Sequence, residues 1–574
     1  MNLSKSCFLV AAVCLLLSLL RIEGKQSHTE ELFLKHLPDG RVFAHFEFTT
    51  TWDVHPLLFV QPSNVHHYGL FPKSVSEVVS HYQVQEAHLS LTQGKWRTRV
   101  WGYPPDSTPP GAELWVWFLP NADAKQQWPG LVNALSGLLC AHLNVIGPTS
   151  TYRPLHSFRP KGPVIGNLSS SQLRYAAVPR ETVCTENFTP WTKLLPCGTS
   201  AGLASLFSAL QLYDTDFHSL ALHFSPTCKG GDCSSVGVQL VQTLSVVFPP
   251  PINSQQYIEW SLKSLFSKSL SSSCPLSSSS RIVMDTSNLT SGLAFSIDPP
   301  RVEASGRAVY DIASLTGLSK KFDLKVKSLT QFVPEMPRPP LLHTQRLLKG
   351  SGHEWGGLVT EVYNNHRHTS VRVLYLDTIP WYFRVFIHTL SIQNATVSYQ
   401  HYEPSKDRVR PHLLELLLTV PPLTTAIVSV MINRGFLKWT EHPPDAHHGF
   451  YVNSVVLTTV LEECPNCTQL SDNGTKGPYA LRIHTEPLLI SIATPDFSMP
   501  YNVICFVCTV IAIGFGSIFN LTTRKLVPDT KENKTGIFSR LTGFLTRGTK
   551  KEQEDSIESK EETDTNVEQS IENQ

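Results

Sequence analysis

A run of 20 uncharged residues near the C-terminus, at positions 502–521 (NVICFVCTVIAIGFGSIFNL), constrains this chain more than any other feature. A helix of about 20 apolar residues matches the hydrocarbon core of a bilayer, so the run predicts a transmembrane helix over residues 502–521. Arg524 and Lys525 follow at once, and such cations usually lie on the cytosolic side of a span. Residues 522–574 are therefore expected to form a cytosolic tail.

The N-terminus carries a second hydrophobic segment, which is short for a membrane span. Lys5 precedes a largely apolar stretch at residues 7–20, and Gly24 is a small residue near a candidate cleavage point. This pattern predicts a cleaved signal peptide over residues 1–24, with an uncleaved anchor as the alternative. The chain would then be a single-pass type I membrane protein whose bulk is lumenal. Its net charge of +1 gives no reason to expect nucleic acid as a partner.

Most lumenal cysteines are expected to form disulfides in an oxidising compartment. Cys228 and Cys233 bracket the short sequence KGGD and predict a local bridge. Cys464 and Cys467 form CPNC, which is a second local pair or, as the alternative, a redox motif outside the strand-then-helix setting of thioredoxin-like chemistry. Lumenal sequons predict N-glycosylation at three positions: Asn167, Asn288 and Asn394.

Strand signals dominate the lumenal sequence. Runs of β-branched and aromatic residues such as RVFAHFEFTTTW and SVRVLYLD recur between prolines. They predict a mainly β fold with antiparallel, sandwich-like lumenal domains and few helices. The clearest helix covers residues 125–143 and has an apolar face. A Ser-rich stretch at 264–280 is typical of a linker, which predicts two β-rich lumenal domains at 25–275 and 276–501.

One pentapeptide matches the nucleophile elbow of serine hydrolases. Gly198-Thr199-Ser200-Ala201-Gly202 fits G-x-S-x-G, a motif in which a strained strand-to-helix turn exposes the serine. Pro196 and Cys197 precede it instead of a buried apolar strand, so a plain helix-entry turn is favoured. No other pattern of residues indicates a metal site, a cofactor or a catalytic group.

Two features near the membrane favour interactions. A small and polar stripe with four-residue spacing lies on the predicted span, at Cys508, Ala512, Gly516 and Asn520. Such a stripe lets helices pack closely in a bilayer, although small residues are common in spans generally. Beyond the span, apolar residues between 537 and 545 share one helical face with Arg540 and Arg547 nearby. They predict an interfacial helix that binds membrane lipid, with a disordered tail as the alternative.

Several long strings resemble the T subunit of the GPI transamidase, the phosphatidylinositol-glycan class T family. They include HLSLTQGKWRTRVWGYPP (88–105), VPRETVCTENFTPWTKLLPC (178–197), LKWTEHPPDAHHGFYV (437–452) and TEPLLISIATPDFSMPYNVICFVCTV (485–510). The resemblance implies a subunit of the endoplasmic reticulum complex that attaches glycosylphosphatidylinositol (GPI) anchors to proteins. Catalysis would belong to a separate cysteine-protease-like K subunit. This chain would be a non-catalytic scaffold that stabilises the K subunit and the other membrane subunits.

The resemblance also singles out Cys184, because the family carries its intersubunit disulfide cysteine in the segment VPRETVCTENFTPW. From the residues alone the pairing stays open. An internal Cys184–Cys197 bridge would close a short loop. Alternatively, a Cys197–Cys274 pair with Cys140 as a buried thiol would leave Cys184 for the K subunit. Two other functional classes remain as alternatives, a lumenal serine hydrolase using Ser200 and a cell-surface adhesion receptor.

Overall fold

The computed structural model describes residues 25–55, 68–164, 166–167, 169–229, 235–253, 256–270, 272–286, 295–299, 307–316, 322–333, 339–350, 355–443, 445–461, 479–494, 496 and 498–525. The predicted signal peptide, Cys233, Asn288, the CPNC motif and the predicted interfacial helix lie outside these residues. The chain divides into two units, one up to Pro495 and one from Asp496 onward.

The secondary structure is mainly β, as the sequence predicts. Strands β1 to β12 are Gln26–His36, Val42–Trp52, Val84–Gly94, Gly111–Phe118, Leu173–Val178, Phe217–Lys229, Ser235–Phe248, Glu259–Ser261, Ser279–Asp285, Phe295–Asp298, Arg307–Asp311 and Lys325–Ser328. Strands β13 to β23 are Leu342–Lys349, Trp355–Asn364, Val371–Ile379, Phe383–Gln393, Thr396–Glu403, His412–Val420, Thr424–Arg434, Phe450–Val452, Val456–Leu461, Tyr479–His484 and Leu488–Ile490. Helices α1 to α8 are Lys73–His81, Thr98–Trp101, Ala124–Leu139, Thr185–Lys193, Ala209–Tyr213, Leu262–Phe266, Ile312–Thr316 and Ser498–Thr523.

A nine-stranded sheet organises the first part of the larger unit, in the order β11-β9-β1-β2-β7-β6-β3-β4-β5. Its strands pair antiparallel except β1 and β9, which run parallel. Helices α1, α3, α4, α5 and α6 contribute buried apolar side chains to the core on one face. Strand β4 is buried at every position, which is expected for a central strand that is covered on both faces.

The predicted domain boundary at residue 275 does not coincide with an edge of this sheet. Strands β9 and β11 follow residue 275 but belong to the nine-stranded sheet. The Ser-rich stretch is also not a linker, because Leu265, Phe266 and Leu270 are buried in the core. The serines serve as turn and cap residues between these apolar anchors; for example, Ser261 Oγ accepts a hydrogen bond from Ser264 N at 3.1 Å.

Helix α3 agrees with the predicted helix at 125–143 but ends earlier. Asp123 caps its start by accepting a hydrogen bond from Lys125 N at 2.9 Å. The helix ends at Leu139 because Cys140 adopts a left-handed conformation with φ +51°. A short 3-10 helix follows at His142–Val145.

The later strands form the predicted sandwich. One sheet has the order β13-β14-β19-β16, and the other has the order β17-β18-β15-β21-β22. A single apolar core contains side chains from both sheets, including Val362, Val373, Leu416, Val428 and Leu457. Alternating burial along β14 and β19 reflects one face in this core and one outside it. The antiparallel pairing within both sheets confirms the predicted architecture.

The sandwich packs against the second face of the nine-stranded sheet within the same unit. Trp115 and Tyr175 of that sheet share an apolar cluster with Leu376 and Leu413 of the sandwich. The fully buried carboxylate of Glu415 accepts hydrogen bonds from three consecutive backbone amides, at residues 155–157. Because the amides satisfy this buried charge, Glu415 fixes the register between the two β structures.

Helix α8 is long and apolar enough to cross a membrane. It spans 26 residues from Ser498 to Thr523, which includes the whole predicted span at 502–521. Its hydroxyl side chains donate to backbone carbonyls of the same helix; for example, Thr509 Oγ1 donates to Cys505 O at 2.7 Å. These internal bonds satisfy polar groups that lipid could not.

Candidate partner interface

The segment that contains Cys184 is fixed to the nine-stranded sheet through α4. Phe188 and Trp191 of α4 are buried in the core of that sheet. The Trp191 indole donates a hydrogen bond to Ala221 O of β6 at 3.0 Å, and Gln242 of β7 donates to Trp191 O at 3.1 Å. Cys184 immediately precedes this helix. Its position is therefore set by a rigid element rather than by a free loop.

The side chain of Asn187 holds Cys184 in place. Asn187 is 1% exposed, and its Oδ1 accepts a hydrogen bond from Cys184 N at 2.9 Å. Its Nδ2 donates to Leu139 O at 3.1 Å and to Cys140 O at 2.8 Å. One amide group thus connects the start of α4 to the end of α3. Because its amide is buried in these bonds, Asn187 is a poor glycosylation acceptor although it begins an N-F-T sequon.

The disulfide pattern leaves the Cys184 thiol free. Cys197 is bonded to Cys274, which excludes the internal Cys184–Cys197 bridge in this structure. Cys184 is unpaired and partly exposed, and Cys140 is unpaired and exposed. The expectation that Cys140 is a buried thiol is therefore wrong, because the left-handed turn after α3 directs its side chain outward. Cys228 is disulfide-bonded, but Cys233 lies outside the described residues, so the Cys228–Cys233 pairing stays a prediction.

The elements around Cys184 expose apolar side chains. Leu210 of α5 is 78% exposed, and Val145 at the end of the 3-10 helix after α3 is 62% exposed. That 3-10 helix is tied to the Cys184 segment by Glu181, which accepts a hydrogen bond from His142 N at 3.0 Å. Burial raises the pKa of Tyr213, and the neighbouring Cys184 adds to this shift. Apolar residues that are exposed singly are normal on a protein surface, so these two do not mark an interface by themselves.

The G-x-S-x-G pentapeptide forms a turn and not a nucleophile elbow. Ser200 Oγ donates to Cys197 O at 2.7 Å, and the described residues include no histidine in contact with it. Gly202 has φ +73°. A Cβ added at Gly202 would lie only 2.5 Å from a carboxylate oxygen of Glu30. Close approach of Glu30 therefore explains the second glycine. The helix predicted after Gly202 is instead a 3-10 turn at Leu203–Leu206 followed by α5.

One cluster of potential metal ligands occurs in the described part of the chain, formed by His28, Glu30 and Cys274. Cys274 is bonded to Cys197. Glu30 accepts hydrogen bonds from Leu203 N at 3.1 Å and from Ser280 Oγ at 2.9 Å. The disulfide leaves Cys274 without a thiolate for a metal, and the Glu30 carboxylate already accepts hydrogen bonds, although His28 Nε2 is buried 3.7 Å from Glu30 without a hydrogen-bond partner.

The predicted glycosylation and membrane residues are partly placed by the structure. Asn167 and Asn394 are exposed, and their modification stays a prediction. The stripe of Cys508, Ala512, Gly516 and Asn520 lies along α8. A Cβ added at Gly516 would contact no other atom of the chain within 4 Å. Whether the stripe packs against another helix is likewise still a prediction.

Sequence reasoning missed the role of Asn187. The signal was present, since an Asn three residues after a helix-capping position has the spacing of a capping box. The bond from Asn187 to the end of α3 had no such signal, because it joins residues 47 positions apart.

Comparison with known proteins gives one consistent result. The model of the Gpi16 subunit family, described as a GPI transamidase component, matches residues 11–256 and 248–547. The chain is 42% identical to the human GPI-anchor transamidase component PIGT over 552 residues, which is 91% of this chain and 94% of that protein. It is 30% identical to the Schizosaccharomyces pombe PIG-T homolog, over 91% of this chain and 94% of that protein. Identity to the Saccharomyces cerevisiae component GPI16 is 27%, with 90% and 91% covered.

Proposed function

The chain belongs to the Gpi16 family of GPI transamidase components, and on this premise we propose that it is the non-catalytic scaffold subunit of that enzyme in the endoplasmic reticulum membrane. It would hold the catalytic K subunit through a disulfide at Cys184 and would contact the other membrane subunits through its span. The bulk of the chain would be lumenal, with a cytosolic tail after α8.

The free thiol of Cys184 is the observation that carries this proposal. It is partly exposed and unpaired, and a buried asparagine and a sheet-anchored helix fix its backbone. A thiol whose backbone is fixed in this way suits a disulfide, because a disulfide tolerates little displacement of its two Cα atoms.

The scaffold role is supported by the surroundings of the one candidate nucleophile. Ser200 donates its hydroxyl hydrogen to a backbone carbonyl, so it has no base in the described structure that could activate it. The serine hydrolase alternative therefore has no geometric support. The family membership likewise leaves no reason to propose a cell-surface adhesion receptor.

A non-reducing gel of the complex, purified in mild detergent, tests the proposal. The wild type should give a reducible band with the combined mass of this chain and the K subunit, and Cys184→Ser should lose it. Cys140→Ser is the matched control, because Cys140 is also an unpaired, exposed thiol. The side chain of Asn187 hydrogen-bonds both to the carbonyl of Cys140 and to the backbone amide of Cys184. Cys140→Ser should keep the band.

Recovery of the K subunit without cross-linking provides a second measurement. A disulfide raises the effective concentration of two subunits, so its loss should weaken the complex without abolishing it. A band that persists in Cys184→Ser, or that disappears in Cys140→Ser instead, would show that another cysteine forms the link.

A further inference from the structure

Two neighbouring cavities lie where the nine-stranded sheet meets the sandwich. Their volumes are about 310 Å³ and 480 Å³. They share five lining residues, Pro104, Asp106, Ser107, Thr108 and Arg482. We refer to the two cavities together as the inter-sheet cleft. The cleft is separate from Cys184, which lines neither cavity.

Arg482 of β22 is the central cation of the cleft. Its guanidinium carbon lies 5.2 Å from the centre of the Trp115 ring and 4.4 Å from that of Phe158. Its Nε is buried without a hydrogen-bond partner, and the guanidinium donates no hydrogen bond to any described residue. Stacking on aromatic rings satisfies the faces of a guanidinium but not its N–H groups. Because the Nε–H is itself buried, the donors that a ligand in the cleft could reach are those of the two Nη groups of Arg482, which lines both cavities.

Other cations in the cleft also lack acidic partners. Arg97 and Arg99 line the first cavity and Arg159 lines the second. None of the three forms an ion pair with a described carboxylate, whereas Lys161 lies 3.8 Å from Asp106. The three arginines are exposed, so the absence of an ion-pair partner costs each of them little free energy in water. Together with Arg482 they give the cleft four arginines without a carboxylate partner.

The acidic groups of the cleft have basic partners other than the arginines. Glu486 pairs with Lys95 through Oε1, whereas its Oε2 is buried without a hydrogen-bond partner. Asp106 Oδ2 lies 3.4 Å from His223 Nε2, and Glu113 Oε1 lies 3.1 Å from His484 Nε2. Burial alone would raise the pKa of Asp106, but His223 and Lys161 hold it well below its usual range. These carboxylates therefore stay ionised and paired, and they do not compensate the arginines by direct contact.

We propose that the inter-sheet cleft binds a phosphate ester, with Arg482 as the principal contact. A guanidinium presents a planar fork of donors that matches phosphate geometry. The hydroxyls of Ser107 and Thr108 already bond to His484 and to Thr92 and Ser219, so the arginines carry the proposal. Four unpaired arginines are more than a single carboxylate would pair with. They therefore favour a phosphate over the C-terminal carboxylate of a peptide. The natural ligand follows from the proposed function, on which this inference rests: a GPI lipid carries its glycan on phosphatidylinositol, which contains a phosphate ester.

Calorimetric titration of the full-length chain in detergent, at low salt, tests the proposal. The probes are glycerophosphoinositol, inorganic phosphate and uncharged myo-inositol. Glycerophosphoinositol should bind and myo-inositol should not. Arg482→Gln should weaken binding by about tenfold or more, as expected for loss of a charge-assisted bidentate contact. Arg372→Gln is the control, because Arg372 is an exposed arginine of β15 that lines neither cavity.

Arg482 also stacks between the two β structures, so its replacement tests stability as well as binding. The double variant Arg99→Gln/Arg159→Gln changes only exposed side chains and should weaken glycerophosphoinositol binding by about threefold or more while leaving the thermal midpoint unchanged. Equal affinity for inorganic phosphate would assign the cleft to free phosphate. Unchanged binding in both variants, or stronger binding of a Glu-rich peptide, would overturn the proposal.

Failure of this proposal is distinguishable from failure of the scaffold proposal. The double variant should keep the disulfide-linked band at Cys184, since none of its changes touches that segment. Loss of ligand binding with an intact band therefore concerns the cleft. Loss of the disulfide-linked band in Cys140→Ser, with unchanged ligand binding, would contradict the proposed link at Cys184 and leave the cleft proposal intact.

Discussion

Ser200 and Gly202 belong to the same pentapeptide but have different surroundings. Ser200 is exposed and bonds only the carbonyl of Cys197. Gly202 has φ +73° and approaches both Glu30 and Cys274 so closely that a Cβ would lie 2.5 Å and 2.8 Å from their atoms. The glycine is therefore required by packing, whereas the serine is not.

We expect opposite results from replacing these two residues. Ser200→Ala should cost less than about 1 kcal/mol of unfolding free energy, because an exposed hydrogen bond is lost, and GPI attachment should stay near normal. Gly202→Ala should cost about 3 kcal/mol, because the added Cβ collides with a buried carboxylate in a strained conformation. Thermal unfolding and cell-surface GPI-protein levels measure the two effects. Collapse of GPI attachment in Ser200→Ala, with normal assembly, would contradict the scaffold role.

Individual elements differ in how well their sequences predict them. The apolar face of α3 and the uncharged run of α8 are periodic or continuous, and both helices were located to within a few residues. Strand β9 was not placed, because its parallel pairing with β1 joins residues 250 positions apart, such as Glu31 and Arg281. The Ser-rich stretch was interpreted as a linker because its composition outweighed its few apolar residues, which are buried.

The candidate interface was predictable only in part for the same reason. Cys184 was identified through resemblance to a family, and its segment does form a helix start. The Cys197–Cys274 bond links positions 77 residues apart, and cysteine spacing alone left it as one of several pairings. Arg482 gave no signal, since its contacts with Trp115 and Phe158 depend on how the sandwich docks on the first sheet.

The stripe on α8 leads to a prediction at the scale of one helix. Gly516→Leu should reduce recovery of the partner subunits, because added bulk prevents close approach of another helix. The same change cannot disturb this chain through its described contacts, since a Cβ at Gly516 meets nothing within 4 Å. Val510→Leu is the control, because residue 510 lies about 120° around the helix from residue 516. Affinity purification in mild detergent measures recovery, and equal recovery with both variants would refute packing through this stripe.

Buried histidines in the β structures make the stability of the larger unit depend on pH. Burial lowers the pKa of His45, His218 and His412 to about 4, against an ordinary value of 6.5. Below pH 6.5 these histidines bind protons in the unfolded chain, whereas they stay neutral in the folded state until the pH nears 4. The free energy of unfolding therefore falls as the pH drops from 6.5 towards 4. Burial raises the pKa of Glu47 to about 7, so this carboxyl increases the free energy of unfolding as the pH falls. It is a single group, whereas the three histidines act together in the other direction.

We therefore expect the thermal midpoint of the full-length chain to be lower at pH 5 than at pH 7. His218→Gln should reduce this difference, because a single histidine with its pKa lowered from 6.5 to about 4 loses about 2 kcal/mol over that interval. His218 is 2% exposed, and its Nε2 has no hydrogen-bond partner in the described structure, so burial alone produces the shift. His368→Gln is the control, because His368 is exposed in the folded state and should leave the pH dependence unchanged. A midpoint that is equal at the two pH values, or a His218→Gln variant with the full wild-type difference, would show that these histidines do not couple folding to pH.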